Sequence, residues 1–221
     1  MNRVRVLVEG QTEQAFIRDI LQPHFDPRQI FLHAVKFRRQ GGITPYERAN
    51  EVILRSLKED ADLICTTMVD FYGMPEDWPG RKQASRCRIC TEKAAIIEAG
   101  ILKDIAGQLG NSFNPNHLMP YVQMHEFEAL LFSSPTKLAQ RLGNGKLSTL
   151  FVGIRNQFST PEEINDHYET CPSRRIEKVF IGFKKTIDGI SAARQIGLET
   201  MRRECPHFND WITKLEDIGN Q

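Results

Sequence analysis

The sequence predicts an α/β fold: a mostly parallel central sheet with helices on both faces and a small helical C-terminal addition. Two observations predict it. Short β-branched runs alternate with helical-period segments of matching length, the pattern of a sheet whose faces are both covered. The length, 221 residues, suits one compact domain with a modest extension.

Taken in order, residues 3–8 (Arg-Val-Arg-Val-Leu-Val) form the first strand, ended by Glu9-Gly10. Thr12 caps a helix through about Leu21, with Ala15, Phe16 and Ile20 as its apolar face, and Pro23 stops it. Residues 30–37 are a second strand, and Gly41-Gly42 is a flexible break. A helix fits 46–58, where Ala49, Val52, Ile53 and Leu57 share one side. Residues 62–70 are the clearest buried strand and end in Asp70. Gly73, Pro75, Pro79 and Gly80 make 71–90 a long loop. A helix fits 91–106, a strand 117–124 and a short helix 126–132. Residues 1–132 read as the core, and 133–221 as a helical insert and C-terminal part on the same domain, with helices at 189–203 and 208–217.

Composition excludes several classes. Lys plus Arg number 29 and Asp plus Glu 28, for a net charge of +1, so no basic tail is present, although local clusters remain compatible with nucleic acid. No apolar run is long enough to span a membrane, and the start is too short and too soon acidic for a signal peptide, so a cytoplasmic location is expected. Five cysteines, an odd and sparse count, do not make a disulfide framework.

The acids carry the functional reading. Glu9 ends the first strand, Asp70 ends the strongest one, and Glu126 and Glu128 follow the strand ending near Met124. If these strands are parallel, the acids converge at the carboxyl edge of the sheet, where sites assemble in open α/β folds. Grouped carboxylates repel unless a cation with a preference for hard oxygen neutralises them, and Mg²⁺ or Mn²⁺ does so. On a helix Glu126 and Glu128 would point apart and reach one ion only through an irregular turn, with His125 beside Glu128 as its orienter; on a strand they would share a face. Both readings stay open, and so does the plainer one of helix caps and loop acids.

Val-Glu-Gly-Gln-Thr-Glu (8–13), Met-Val-Asp-Phe-Tyr-Gly-Met-Pro (68–75), Gln-Met-His-Glu-Phe-Glu-Ala-Leu-Leu-Phe (123–132) and Cys-Pro-His-Phe-Asn-Asp-Trp (205–211) together resemble the bacterial family known as domain of unknown function 4276. That family looks related to the Toprim domain of topoisomerases, primases and overcoming-lysogenisation-defect nucleases. The resemblance implies a Toprim-like core with a Mg²⁺-dependent acidic site. Glu9 matches the first Toprim acid and Asp70 the first acid of Asp-x-Asp, but Tyr72 stands where the second should be. Glu126 or Glu128 would replace it, Glu13 would add a carboxylate one turn after Glu9, and Lys184 or, preferably, Lys185 would stand near the scissile phosphate. It further implies a place beside ATPases in phage-defence regions, hence a separate ATPase subunit as partner. The chain itself has no phosphate-binding Gly-x-x-x-x-Gly-Lys loop.

The expected function is metal-dependent phosphodiester hydrolysis by a DNA nuclease. The catalytic set is Glu9, Asp70, Glu128 and Lys185; the metal set is Glu9, Glu13, Asp70, Glu126 and Glu128. The alternatives are a non-catalytic nucleic-acid or ATPase-partner module, and another Toprim-type phosphoryl transfer. Arg38, Arg39, Arg81, Lys82, Arg86 and Arg88 are candidate phosphate contacts. Phe71, Tyr72 and Trp78 could stack bases, though core or loop anchoring suits them better. Cys87-x-x-Cys90 lacks a second pair and reads as ordinary placement rather than zinc, and His207, Phe208 and Trp211 read as structural.

Overall fold

A computed structural model describes residues 2–39, 42, 44–60, 62–143, 145–164 and 167–220. Gly41 of the expected flexible break, and Asn144, Asn165 and Asp166 of the expected insert, lie outside the described residues. The sheet comprises β1 (Asn2–Val8), β2 (Ile30–Lys36), β3 (Ile64–Asp70), β4 (Leu118–Met119) and β5 (Val122–Gln123). The strand order is β2-β1-β3-β4, β5 also pairs with β3, and each pairing is parallel. In register, Val8 faces Lys36 and Met68, and Asp70 faces Gln123. The residues just after β1, β2, β3 and β5 therefore emerge at one edge.

Side-chain alternation splits the core into two layers. Val4, Val6 and Val8 of β1 and Met68 of β3 pack with Phe16, Ile190, Phe208 and Trp211 on one face. Leu7, Cys65 and Val69 pack on the other face with Val52 and Ile53 of α3 (Tyr46–Glu59) and Ile97 and Ile101 of α5 (Cys90–Leu109). Phe16 ties distant segments together: its ring centroid lies 5.2 Å from Phe127 and 6.0 Å from Phe208. Emptying such a buried aromatic site costs about 3–5 kcal/mol.

Several local expectations are corrected. α1 (Gln11–Phe16) begins one residue before Thr12, so Thr12 lies buried inside the helix and Gly10 occupies the cap. Pro23 does not stop the helix. A π-helical turn over Ile17–Leu21 lets the Gln22 N–H donate to the Ile17 carbonyl, which resets the ladder just before the residue lacking a donor, and α2 (Gln22–Phe25) follows. Gln14 and Gln22 turn back to hydrogen-bond Ala34, Leu32 and Ile30, covering the open edge of β2. Pro120 divides the expected strand 117–124 into β4 and β5, and the Thr67 hydroxyl takes over by accepting from the Tyr121 N–H and donating to its carbonyl. Gly197, at φ 86°, divides the expected helix 189–203 into α9 (Ile190–Ile196) and α10 (Leu198–Glu204).

The loop after β3 carries a single short helix, α4 (Arg81–Ala84), and is firmly anchored. Asp77 accepts the first N–H of α3, and the Trp78 indole donates to the Thr44 carbonyl. Gly80 and Gly100 allow the loop to touch α5: a Cβ at either would meet a backbone oxygen at 2.6 or 2.8 Å. The helical remainder comprises α6 (Pro135–Arg141), α7 (Leu147–Arg155), α8 (Pro172–Glu177) and α11 (Pro206–Asp217). Among the described residues, no helix is long and apolar enough to cross a membrane.

Candidate functional site

The parallel register brings Glu9, from the end of β1, and Asp70, from the end of β3, to the same edge. A backbone hydrogen bond from Asp70 reaches the Glu9 carboxyl. Glu13 reaches the same place from the first turn of α1. Its carboxyl turns back to the Gly10 N–H, the half of a capping box that a third helical residue supplies. Gly10 makes room for it, since a Cβ there would lie 3.0 Å from Glu13 Oε2.

The turn after β5 is neither the helix nor the strand that the sequence allowed. His125 has φ 63°, Glu126 is extended, and a 3₁₀ helix starts at Phe127. This irregularity sends Glu126 and Glu128 to one cation. Lys185 Nζ lies 2.9 Å from Glu128 Oε2 and 3.4 Å from Glu126 Oε1. Lys185 sits in the π-helical turn Lys185–Gly189 that leads into α9, while Lys184 points to solvent.

The two glutamates differ in their remaining partners. Both Glu126 oxygens are engaged at the start of α8: Ser173 N–H donates to Oε2 at 2.9 Å and Ser173 Oγ to Oε1 at 3.0 Å. Glu128 is 1% exposed, and among the described residues its buried Oε1 has no hydrogen-bond partner. Asp70 Oδ1 is in the same condition. A buried carboxylate oxygen without a donor is costly, on the order of 1–3 kcal/mol or more.

The electrostatics record the crowding. Burial and then the Glu13 charge push Glu9 up to about 8. Burial, Glu13, Glu9 and Glu128 push Asp70 well above the ordinary carboxylate range. Burial raises Glu13 against its backbone hydrogen bonds, and it raises Glu128 to about 7 despite Lys185. Burial alone would lower Lys185, but Glu128, Glu126 and Asp70 outweigh it and hold the ammonium charged. The acids thus form one interacting group with Lys185 as its internal counter-ion. Among the described residues, no three Asp, Glu, His or Cys side chains already stand as a metal-ligand group. The donor chemistry nevertheless fits a hard divalent cation: carboxylate oxygens only, two of them buried without a donor.

Arg38 and Arg39 are exposed in the segment after β2, where Phe37 N–H and Gly42 N–H donate to the carbonyls of Val8 and Glu9. Arg81 covers the Phe71 ring at 4.2 Å and donates to Ser85. Lys82, Arg86 and Arg88 are exposed. His125 packs nearly perpendicular to the Phe71 ring, with Nε2 3.5 Å from Cys90 Sγ, and so faces the loop-side core. His207 pairs with Glu98 at 2.9 Å, and Phe208 and Trp211 are buried.

Ser173 was missed by sequence reasoning. The Cys-Pro-Ser run at 171–173 does carry a helix-start signal, which could have marked Ser173 as an early-turn donor. Nothing local points from there to Glu126. No curated protein and no solved structure is detectably similar to the chain. A family model described as Domain of unknown function (DUF4276) matches residues 8–216, and the chain belongs to that family.

Proposed function

We propose that this protein hydrolyses phosphodiester bonds in nucleic acid, with DNA as the leading substrate, using Mg²⁺ or Mn²⁺ held by Glu9, Asp70 and Glu128. One observation carries the reading: two buried carboxylate oxygens, Asp70 Oδ1 and Glu128 Oε1, that have no donor among the described residues, in an acidic group at the carboxyl edge of a parallel sheet. A divalent ion held there would supply an acidified water and polarise a phosphate oxygen.

The chain's own residues divide the remaining work. Glu13 adds negative charge behind Glu9 and is oriented by the Gly10 N–H. Glu126, fixed by Ser173, and Glu128 hold the Lys185 ammonium at the site's mouth, where it offsets charge gathering on a phosphate. Arg38, Arg39, Arg81, Lys82, Arg86 and Arg88 would meet flanking phosphates. The placement of acids after the first and third strands is Toprim-like, with Glu128 taking the part that Tyr72 cannot. A cytoplasmic role in phage defence, beside a separate ATPase subunit, belongs to the same reading.

A second reading is a non-catalytic nucleic-acid or ATPase-partner module. Its support is Lys185, which already neutralises part of the acidic group without a metal. Incubation with plasmid, single-stranded DNA and RNA in Mg²⁺, Mn²⁺ or EDTA, beside Glu9→Ala and Asp70→Asn, separates the two. The nuclease reading expects cleavage in metal only and a loss of about a hundredfold or more in each variant. No cleavage of any substrate, together with no metal-induced rise in melting temperature, would leave the partner module.

A further inference from the structure

On the side of Glu126, the acidic group continues outward into an aromatic rim. Tyr72 follows Asp70 by two residues, and its N–H donates to the His125 carbonyl at 2.8 Å. The next residue, Glu126, holds the first turn of α8 through Ser173. Arg174, the following residue of α8, lays its guanidinium 4.9 Å from the centre of the Tyr168 ring. It also donates Nη2 to the Tyr168 hydroxyl at 3.1 Å and Nη1 to Glu177 at 2.8 Å. Two tyrosines and a guanidinium thus share a border with the carboxylates.

This rim differs from the aromatics on the opposite side. Phe71 is buried with cations over its ring, Arg81 at 4.2 Å and Lys93 at 5.2 Å, and Trp78 is buried with its N–H spent on Thr44. Neither offers a face. Tyr168 is 58% exposed, and Tyr72 is partly exposed. Arg174 is braced by Glu177, so little further side-chain order is lost when a flat partner arrives. Tyrosine rings and braced guanidinium planes are the surfaces on which unpaired bases stack, at about 1–3 kcal/mol per base. A duplex keeps its base faces internal and would present only phosphate to them.

Building on the phosphodiester reading above, we propose that the Tyr72–Tyr168–Arg174 rim takes an unpaired base, so that the strand entering the acidic site is single-stranded there. The rim then selects the state of the nucleic acid, while Lys185 and the acids act on its backbone.

The test is fluorescence anisotropy in EDTA with a labelled oligothymidylate, an abasic strand of equal length and charge, and a duplex, followed by cleavage of each in Mn²⁺ and in Mg²⁺. The expected result is that the oligothymidylate binds about tenfold or more tighter than the abasic strand. Tyr168→Ala and Tyr72→Ala should bring it down to the abasic level, and Tyr168→Phe should retain the preference. Equal binding of the three probes, or a preference unchanged in both alanine variants, overturns the proposal even if cleavage is observed. A tyrosine-dependent preference without cleavage in any metal supports the rim and sinks the nuclease reading instead. Failure to bind any probe overturns the rim proposal, and the nuclease reading then stands or falls on cleavage alone.

Discussion

Two places in this molecule bury carboxylates, and they do so in opposite ways. At the start of α11, Glu162 accepts the His207 N–H at 3.1 Å on Oε2 and the Phe208 N–H at 2.8 Å on Oε1. Its charge closes a helix N-terminus whose amides would otherwise be orphaned. Nearby, Glu98 accepts from the Val122 N–H and pairs with His207, whose ring stacks on Tyr121 at 5.0 Å. At the carboxyl edge of the sheet, Glu9, Glu13, Asp70 and Glu128 repel one another, and among the described residues two of their buried oxygens have no donor. A carboxylate buried for the fold is given donors. The edge cluster carries a stability penalty that protonation, or a cation beyond Lys185, would relieve.

Paired substitutions break this comparison most sharply. Glu128→Gln should lower metal-dependent cleavage about a hundredfold or more, a transition-state loss of roughly 3 kcal/mol, while the metal-free melting temperature holds or rises. Glu162→Ala should do the reverse. It leaves one buried and one partly buried amide without acceptors and should cost about 1–3 kcal/mol of stability, read by urea denaturation, with cleavage per folded molecule unchanged. Equal destabilisation by the two variants would erase the distinction between a cap and a site.

That distinction was only partly legible in the sequence. The β-branched run of β3 and the apolar stripe of α3 declared themselves, because their burial depends on local periodicity. Convergence of Glu9 and Asp70 followed once parallel pairing was assumed, and the register supplies it. The choice between Glu126 and Glu128 was not legible, because it depends on Ser173, 47 residues away from Glu126. Glu162 looked like any acid in Pro-Glu-Glu, since its donors lie in a helix that starts at Pro206. Pro23 misled because a proline's effect depends on whether the preceding turn can widen. Spacing reports what one segment can do alone, and partners brought together by the fold escape it.

The pH dependence of the metal-free protein sharpens the comparison with a smaller effect. Glu9 rises from an ordinary 4.5 to about 8, and Glu128 from 4.5 to about 7. Over that window the folded protein keeps protons that the unfolded chain has released. The unfolded state binds fewer protons, so stability falls as pH rises from about 4.5 through about 8. Thermal melts in EDTA should show this decline, and Glu128→Gln should flatten its lower part, up to about 7. Mg²⁺ or Mn²⁺ should raise the melting temperature most at the alkaline end, where the carboxylates are ionised, by the mass-action stabilisation of any folded-state ligand. A melting temperature independent of pH in EDTA would show that the acids are not held together as described.

The smallest effect tests how Glu13 is joined to the group. Gly10 has φ −144° and ψ −170°, an extended conformation open to any residue, so alanine there brings no backbone strain. What it brings is a Cβ 3.0 Å from Glu13 Oε2. The carboxylate is the far end of a flexible side chain and can yield by a few tenths of an ångström, at the expense of its bond to the Gly10 N–H. Gly10→Ala should therefore cost under about 1 kcal/mol of stability and raise the Mn²⁺ concentration for half-maximal cleavage by only a few fold. If that shift acts through Glu13, it should vanish in the Glu13→Gln background, because two changes in one contact are not additive. A full additive shift in the double variant would mean that Gly10 serves the helix start alone, and that Glu13 belongs with the caps rather than with the site.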